Sequence, residues 1–273
     1  GELITLSEAT IKIDIGDAEI YYEEKGSGPP LLLVPGLGGG GAWWQHQVEA
    51  FSPHFRVIIH DHRGAGQSTH SMIRYSVDQM ALDVIKLMDG LNIEAAHYAG
   101  HSTGGAIGQT IAQDYSDRLL SLVLSATWAG SDGYFRRCFE NRKEILENLG
   151  MESYTKASML QLMPPWWTSE NDAAIDEQLR MRTKKEPRAE IVASRIDAIM
   201  AFDRRARLSE ISHPTLVICA QDDTVTPIHQ SDELARSIPG AEFVALERGG
   251  HFSPTILPEQ FNTPVLEFLL RHA

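Results

Sequence analysis

Three short stretches of this 273-residue chain hold residue types that cooperate in acyl transfer. The first is Gly100-His101-Ser102-Thr103-Gly104, a serine between two glycine-bearing arms. A serine hydroxyl attacks a carbonyl only when a neighbouring base takes its proton and a third group holds that base. The second stretch, "CAQDDTVTP" (219–227), leaves an apolar run and turns at two aspartates. The third, "ERGGHFSP" (247–254), presents His251 after two glycines. Their order is Ser, Asp, His. A neutral imidazole can accept the serine proton, and a buried carboxylate can fix its tautomer and stabilise the imidazolium. On residue types alone, Asp222 and Asp223 are both open for the acid. Glycines on either side of Ser102 suit a tight strand-to-helix turn, at which the Thr103 N–H points toward a developing oxyanion.

Other chemistries compete for the same chain. Residues 36–41 read G-L-G-G-G-G after an apolar run, which satisfies G-x-G-x-x-G, and Asp61 lies 20 residues beyond Gly41. A dinucleotide-binding oxidoreductase would use such a pair. Five glycines in six positions match many templates, however, and Asp61 opens "DHRGAGQS" as a structural turn. No G-K-[ST] occurs, so a P-loop is excluded. His60 and His62 alternate along a strand and share a face, but no third ligand is placed for a metal. The expectation is no metal and no cofactor.

A serine, an aspartate and a histidine this far apart meet only if a repeated element brings their loops to one edge. The alternating stretches "TIKIDI" (10–15) and "EIYYEE" (19–24) predict a hairpin. Continuous apolar runs at 31–34, 56–60, 96–100, 119–126 and 215–220 predict strands buried on both faces, with a last strand at 242–246. Helical patterns fall between them at 76–90, 104–115, 229–237 and 259–271. The fold class predicted is α/β, a mostly parallel sheet with helices on both faces. From about 130 to 208 only helical patterns occur. This predicts residues 1–130 and 208–273 as the core and 131–207 as a helical cap inserted before the seventh strand.

Composition narrows the function classes. Net charge is −13 and pI about 5.3, which opposes nucleic-acid phosphates. The charge is uneven: residues 131–213 hold 14 Lys and Arg against 14 Asp and Glu, within an otherwise acidic chain. The two cysteines, Cys138 and Cys219, suggest no disulfide framework, and a cytoplasmic setting fits. No stretch has the length and apolarity of a membrane span. The opening "GELITLSEAT" is compatible with a removed tag or leader. The expected partner is a small-molecule substrate, for a monomer or homodimer, with neither nucleic acid nor membrane.

The segments "LLLVPGLGGGG", "IIHDHRGAGQS", "AGHSTGGAIG", "CAQDDTVTP" and "RGGHFSP" resemble those of the α/β-hydrolase superfamily along nearly the whole chain. By position, the resemblance implies Ser102 as nucleophile, His251 as base and Asp223 as acid, with Pro227 marking the acid's loop. It implies an oxyanion hole from the backbone N–H groups of Leu37 and Thr103. The chain departs from the family pattern at Pro35-Gly36, where His-Gly is common, and at Thr103, where Met or Leu is frequent. Neither change removes an N–H that the oxyanion hole needs. In the cap, "FRRCFENR" and the run from "RIDAIMAFDRRARLSEI" to "CAQDD" are similar to aminoacrylate hydrolases. 3-Oxoadipate enol-lactonases are close in length and cap design. Candidate pocket residues are Trp128, Arg137, Trp166, Trp167 and Phe252.

The activity expected is cofactor-independent serine hydrolysis of a small ester or lactone, one that could carry a carboxylate, through an acyl-enzyme. The alternative is C–N hydrolysis of an amide, enamide or carbamate. A small-molecule sensor with slow turnover is a third reading from a different class. Haloalkane dehalogenation is excluded, because it needs a carboxylate where Ser102 stands.

Overall fold

Leu31, Leu32, Leu33 and Val34 show why the runs are continuous. Leu31 and Leu33 pack into one hydrophobic layer, while Leu32 and Val34 pack into the other. Successive strand side chains point to opposite faces, so a strand covered on both sides must be apolar at every position. The computed structural model describes residues 11–182 and 187–273. The first residue of the 10–15 strand, the opening segment, and residues 183–186 of the expected cap lie outside them.

In chain order the elements are β1 (Lys12–Asp14), β2 (Glu19–Lys25), β3 (Pro30–Val34), α1 (Gln45–Phe51), β4 (Arg56–His60), α2 (Val77–Gly90), β5 (Ala96–His101), α3 (Thr103–Asp114) and β6 (Leu119–Ser125). Five helices follow: α4 (Gly133–Leu149), α5 (Met151–Leu162), α6 (Pro165–Glu170), α7 (Asp172–Arg182) and α8 (Ala189–Ala201). The chain closes with β7 (Thr215–Ala220), α9 (Ile228–Ser237), β8 (Glu242–Leu246), α10 (Ser253–Ile256) and α11 (Pro258–Arg271).

The strands form an eight-stranded sheet in the order β1-β2-β4-β3-β5-β6-β7-β8. β1 and β2 are an antiparallel hairpin, β2 runs antiparallel to β4, and every pairing from β4 to β8 is parallel. Parallel order puts the carboxyl ends of β3, β5, β6, β7 and β8 on one edge, which is where ligands bind in such sheets. The helical insertion lies between β6 and β7. Its inner face joins the main core: Phe135, Phe139 and Leu146 of α4, Tyr154 of α5 and Ile191, Ile196 and Ile199 of α8 share a buried cluster with α2 and α3. Among the described residues no helix is long and apolar enough to cross a membrane.

Candidate active site

Ser102 stands between β5 and α3 with φ 53° and ψ −114°, a conformation costly for a residue with a Cβ. Its surroundings hold it there. Ser102 N donates to Ser125 O at 2.8 Å, and Ser102 O accepts from Thr127 Oγ1 and Gly105 N, each at 2.8 Å. The flanking glycines are required by contact. A Cβ at Gly100 would lie 2.1 Å from Gly104 O, and one at Gly104 would lie 2.1 Å from Val34 O. The turn is thereby pressed against the end of β3. As first residue of α3, Thr103 has an N–H without an acceptor in its own helix, at the positive helix end.

The loop after β3 supplies the other wall. A Cβ at Gly36 would sit 3.4 Å from Ser102 Cβ, so the backbone that carries Leu37 abuts the serine. Residues 36–39 close a turn, with Gly39 N donating to Gly36 O at 3.0 Å. Asp61 anchors the following backbone, accepting from Gly41 N at 2.8 Å and Gln67 N at 2.9 Å. It is a structural turn residue, as expected from "DHRGAGQS". His62 Nε2 bonds Pro35 O at 2.8 Å, and burial holds His60 at about 4 and His62 well below its usual pKa, so both are neutral.

The two aspartates after β7 part company. Asp223 is buried and bonds His251 Nδ1 through Oδ2 at 2.8 Å. Its Oδ1 accepts from Val225 N at 2.8 Å and Thr226 N at 2.9 Å. The single Thr226 hydroxyl proton can go to Asp223 Oδ2 at 3.0 Å or to Ala126 O at 2.9 Å. An ionised carboxylate only accepts, so His251 Nδ1 is the donor and Nε2 is left with its lone pair free. Asp222 is exposed and accepts from Gly250 N at 2.8 Å and Gly249 N at 3.3 Å, which clamps the loop before His251. His101 bonds Ser125 through Nδ1 at 2.9 Å and lies 4.9 Å from the His251 ring, centroid to centroid. Burial and the neighbouring His251 keep His101 neutral.

Ser102, His251 and Asp223 thus come from the ends of β5, β8 and β7 to one edge, together with the N–H groups of Thr103 and the Leu37 loop. Such a set can transfer the serine proton to His251 and hold a tetrahedral oxyanion. Ser102 is only 6% exposed. Phe252 N donates to Leu162 O at 3.1 Å, Tyr134 OH donates to Thr224 O, and Thr224 Oγ1 donates to Gln161 O at 3.2 Å. The insertion is therefore bonded to both the Asp223 loop and the His251 loop.

The expected pocket residues divide. Phe252 is half-buried, with ring centroids 5.3 Å from Trp43, 6.2 Å from His101 and 5.9 Å from His251. Trp167 packs with Met159, Met163 and Phe252 in a small cluster beside it. Trp166 is half-buried, with the Arg248 guanidinium 4.5 Å above its ring. Two expectations need correcting. Trp128 has no exposed surface at all. It is sealed between Phe135, 4.4 Å away, and Phe202, 5.9 Å away, and so lines no accessible space. Arg137 is exposed, because Phe135, Cys138, Phe139, Arg142 and Leu146 form the inward stripe of α4 and leave residue 137 on the outer face. Among the described residues the buried arginines of the insertion are Arg142, which the sequence offers beside Arg136 and Arg137 as a flanking residue of α4, and Arg195, which it does not single out. Helical spacing was the available signal: Arg142 lies three residues past Phe139, and Arg195 lies within the apolar stripe of Ile191, Val192, Ile196 and Ile199.

A family described as the alpha/beta hydrolase fold matches residues 29–254. The RutD protein of Azorhizobium caulinodans, provisionally named a carbamate hydrolase, is 40% identical over 253 residues, 93% of this chain and 96% of that protein. Among solved structures, an enol-lactonase from Burkholderia xenovorans is 28% identical with a TM-score of 0.88, over 95% of this chain and all of the other. A malate-bound thermophilic esterase from Thermogutta terrifontis is 29% identical with a TM-score of 0.85, over 96% of this chain and 99% of the other.

Proposed function

The chain belongs to the α/β-hydrolase family, and on that premise we propose that it hydrolyses a C–N bond in a small carbamate, amide or enamide by serine catalysis without a cofactor. The observation that carries the C–N reading is the 40% identity to a protein named for carbamate hydrolysis, over core and inserted helices together. Ser102 attacks the carbonyl as His251 Nε2 takes its proton, and the Leu37 and Thr103 N–H groups hold the oxyanion. Collapse expels an amine only if it leaves protonated, and the imidazolium of His251 delivers that proton. Asp223, buried against Nδ1, stabilises the imidazolium meanwhile. Water activated by the same Nε2 then releases the acyl group. Each oxyanion donor contributes about 3 kcal/mol to the barrier reduction by analogy with other sites. The malate in the related esterase supports a substrate that bears a carboxylate.

A second reading, hydrolysis of a small ester or lactone, is favoured by the likeness to the enol-lactonase structure. The test compares kcat/KM of wild type, Ser102→Ala and His251→Ala on an N-carboxy or N-acyl enamine acid, p-nitrophenyl acetate and an enol lactone. The expected result is preference for the C–N substrate and loss of at least about 1,000-fold in each variant. Preference for the lactone replaces the first reading with the second. Full activity in Ser102→Ala overturns both.

A further inference from the structure

Of the three buried arginines among the described residues, one meets carboxylates. Arg63, 5% exposed, pairs with Asp17 and Asp83, each at 2.9 Å. Two arginines on the inserted helices do not. Arg195 of α8 is 2% exposed, and its Nε and Nη2 have no hydrogen-bond partner among the described residues. The groups that favour its charge are the hydroxyls of Tyr75 and Tyr154, and burial pulls it down to about 10, still cationic at neutral pH. Arg142 of α4 is 5% exposed and bonds only neutral oxygens, Ser158 Oγ at 3.1 Å and Tyr154 OH at 3.4 Å. Its guanidinium lies over the rings of Phe139, 4.8 Å away, and Tyr154, 5.4 Å away. Arg142 and Arg195 are thus buried cations with no anion beside them among the described residues, in a chain whose net charge is −13.

The position of Arg195 gives the imbalance a use. A Cβ at Gly39 would stand 3.1 Å from both Arg195 Nη1 and Nη2, so the guanidinium rests against the corner of the 36–39 turn. At the start of that turn, a Cβ on Gly36 would stand 3.4 Å from Ser102 Cβ, and Leu37 lies between. One β-turn, less than about 7 Å from end to end, therefore links the backbone beside the nucleophile to the backbone beside the cation. An uncompensated buried charge is costly, and a guanidinium offers two parallel donors that match the two oxygens of a carboxylate. We propose that Arg195, with Arg142 behind it across Tyr154, is the receptor for a carboxylate on the substrate and so restricts the enzyme to small acids whose scissile group lies a short spacer from that carboxylate.

This deepens the hydrolase reading and rests on it for the word substrate, but its first test needs no turnover. Malonate and its neutral analogue malonamide are titrated calorimetrically, at fixed ionic strength, into wild type, Arg195→Lys, Arg195→Met and Ser102→Ala. Malonate is expected to bind wild type and Ser102→Ala alike, roughly ten- to hundred-fold more weakly to Arg195→Met, and to an intermediate degree to Arg195→Lys. Malonamide should bind none of them measurably. Without ligand, Arg195→Met should melt higher than wild type by about 2 °C or more, because it removes a buried charge that nothing offsets. A residue that merely propped the glycine turn would lower the melting point instead. In turnover, Arg195→Lys should lose at least about ten-fold more kcat/KM on a carboxylate-bearing substrate than on p-nitrophenyl acetate. Malonate binding that is absent in wild type, or unchanged in both Arg195 variants, overturns the proposal. So does an equal kcat/KM loss on charged and neutral substrates. Malonate binding without any C–N cleavage would sink the hydrolase reading and leave the receptor standing.

Discussion

Adjacent aspartates at the end of β7 illustrate how one position along the chain changes what a carboxylate does. Asp223 faces inward onto His251, and Asp222 faces outward and takes the N–H groups of Gly249 and Gly250. Without Asp222, the loop that delivers His251 loses two charge-assisted bonds and the imidazole is less well aimed. Asp222→Ala is expected to lower kcat by about ten-fold with little change in the far-ultraviolet circular dichroism spectrum, and Asp222→Asn, which keeps one acceptor oxygen, by less. Unaltered kcat in both would mean that the clamp does not aim the base. At this scale the sequence placed Ser102, His251 and the Asp222–Asp223 pair within reach of the site, because loops at strand ends are marked by glycine and acid. It did not separate Arg137 from Arg142, since that choice depends on which side of α4 meets the core.

Among the elements, the strand-to-helix turn at Ser102 leaves the least freedom. Gly100 and Gly104 face backbone carbonyls rather than flexible side chains, so an added methyl group has nothing soft to displace. Gly104→Ala should destabilise the fold by about 3 kcal/mol or more, seen as a lower urea midpoint together with lost activity. Gly133→Ala, in open space at the start of α4, serves as the neutral control. A Gly104→Ala protein of wild-type stability would show that the turn relaxes more easily than its contacts indicate. Strands β3 to β7 were legible because burial on both faces makes them uninterrupted apolar runs, and the helices after them because their stripes keep a 3.6-residue period. The short α10 after His251 was missed: four residues beginning Ser253-Pro254 are too few to set a period. The inserted helices were legible as helices, but their packing into the main core was not, because contacts between distant segments leave no local pattern.

For the molecule as a whole, pH acts through several buried histidines at once. His60, His62 and His101 are neutral in the folded protein, with His60 lowered to about 4 and the other two well below the ordinary 6.5. The unfolded chain takes up protons below 6.5 that the native state refuses, so stability is complete above that pH and falls as pH drops from 6.5 toward about 4. At pH 5 the loss from His60 is about 2 kcal/mol, and His62 and His101 act in the same direction. Relief of the net charge of −13 near the pI works the other way, but that repulsion is spread over the surface and is screened in 0.15 M salt. The urea midpoint in that salt should therefore be clearly lower at pH 5 than at pH 7.5, and an equal or higher midpoint would show that the buried imidazoles accept protons in the native state. One feature of the architecture bears on timing rather than on stability. The amide of Phe252, next to His251, is bonded to the carbonyl of Leu162 at the end of α5, so an entrance made by lifting α5 pulls on the backbone that carries the base. Under the proposed serine mechanism, loading by that route and reaction would exclude each other in time, and a stray acyl compound meeting the open molecule would find a serine with no armed partner.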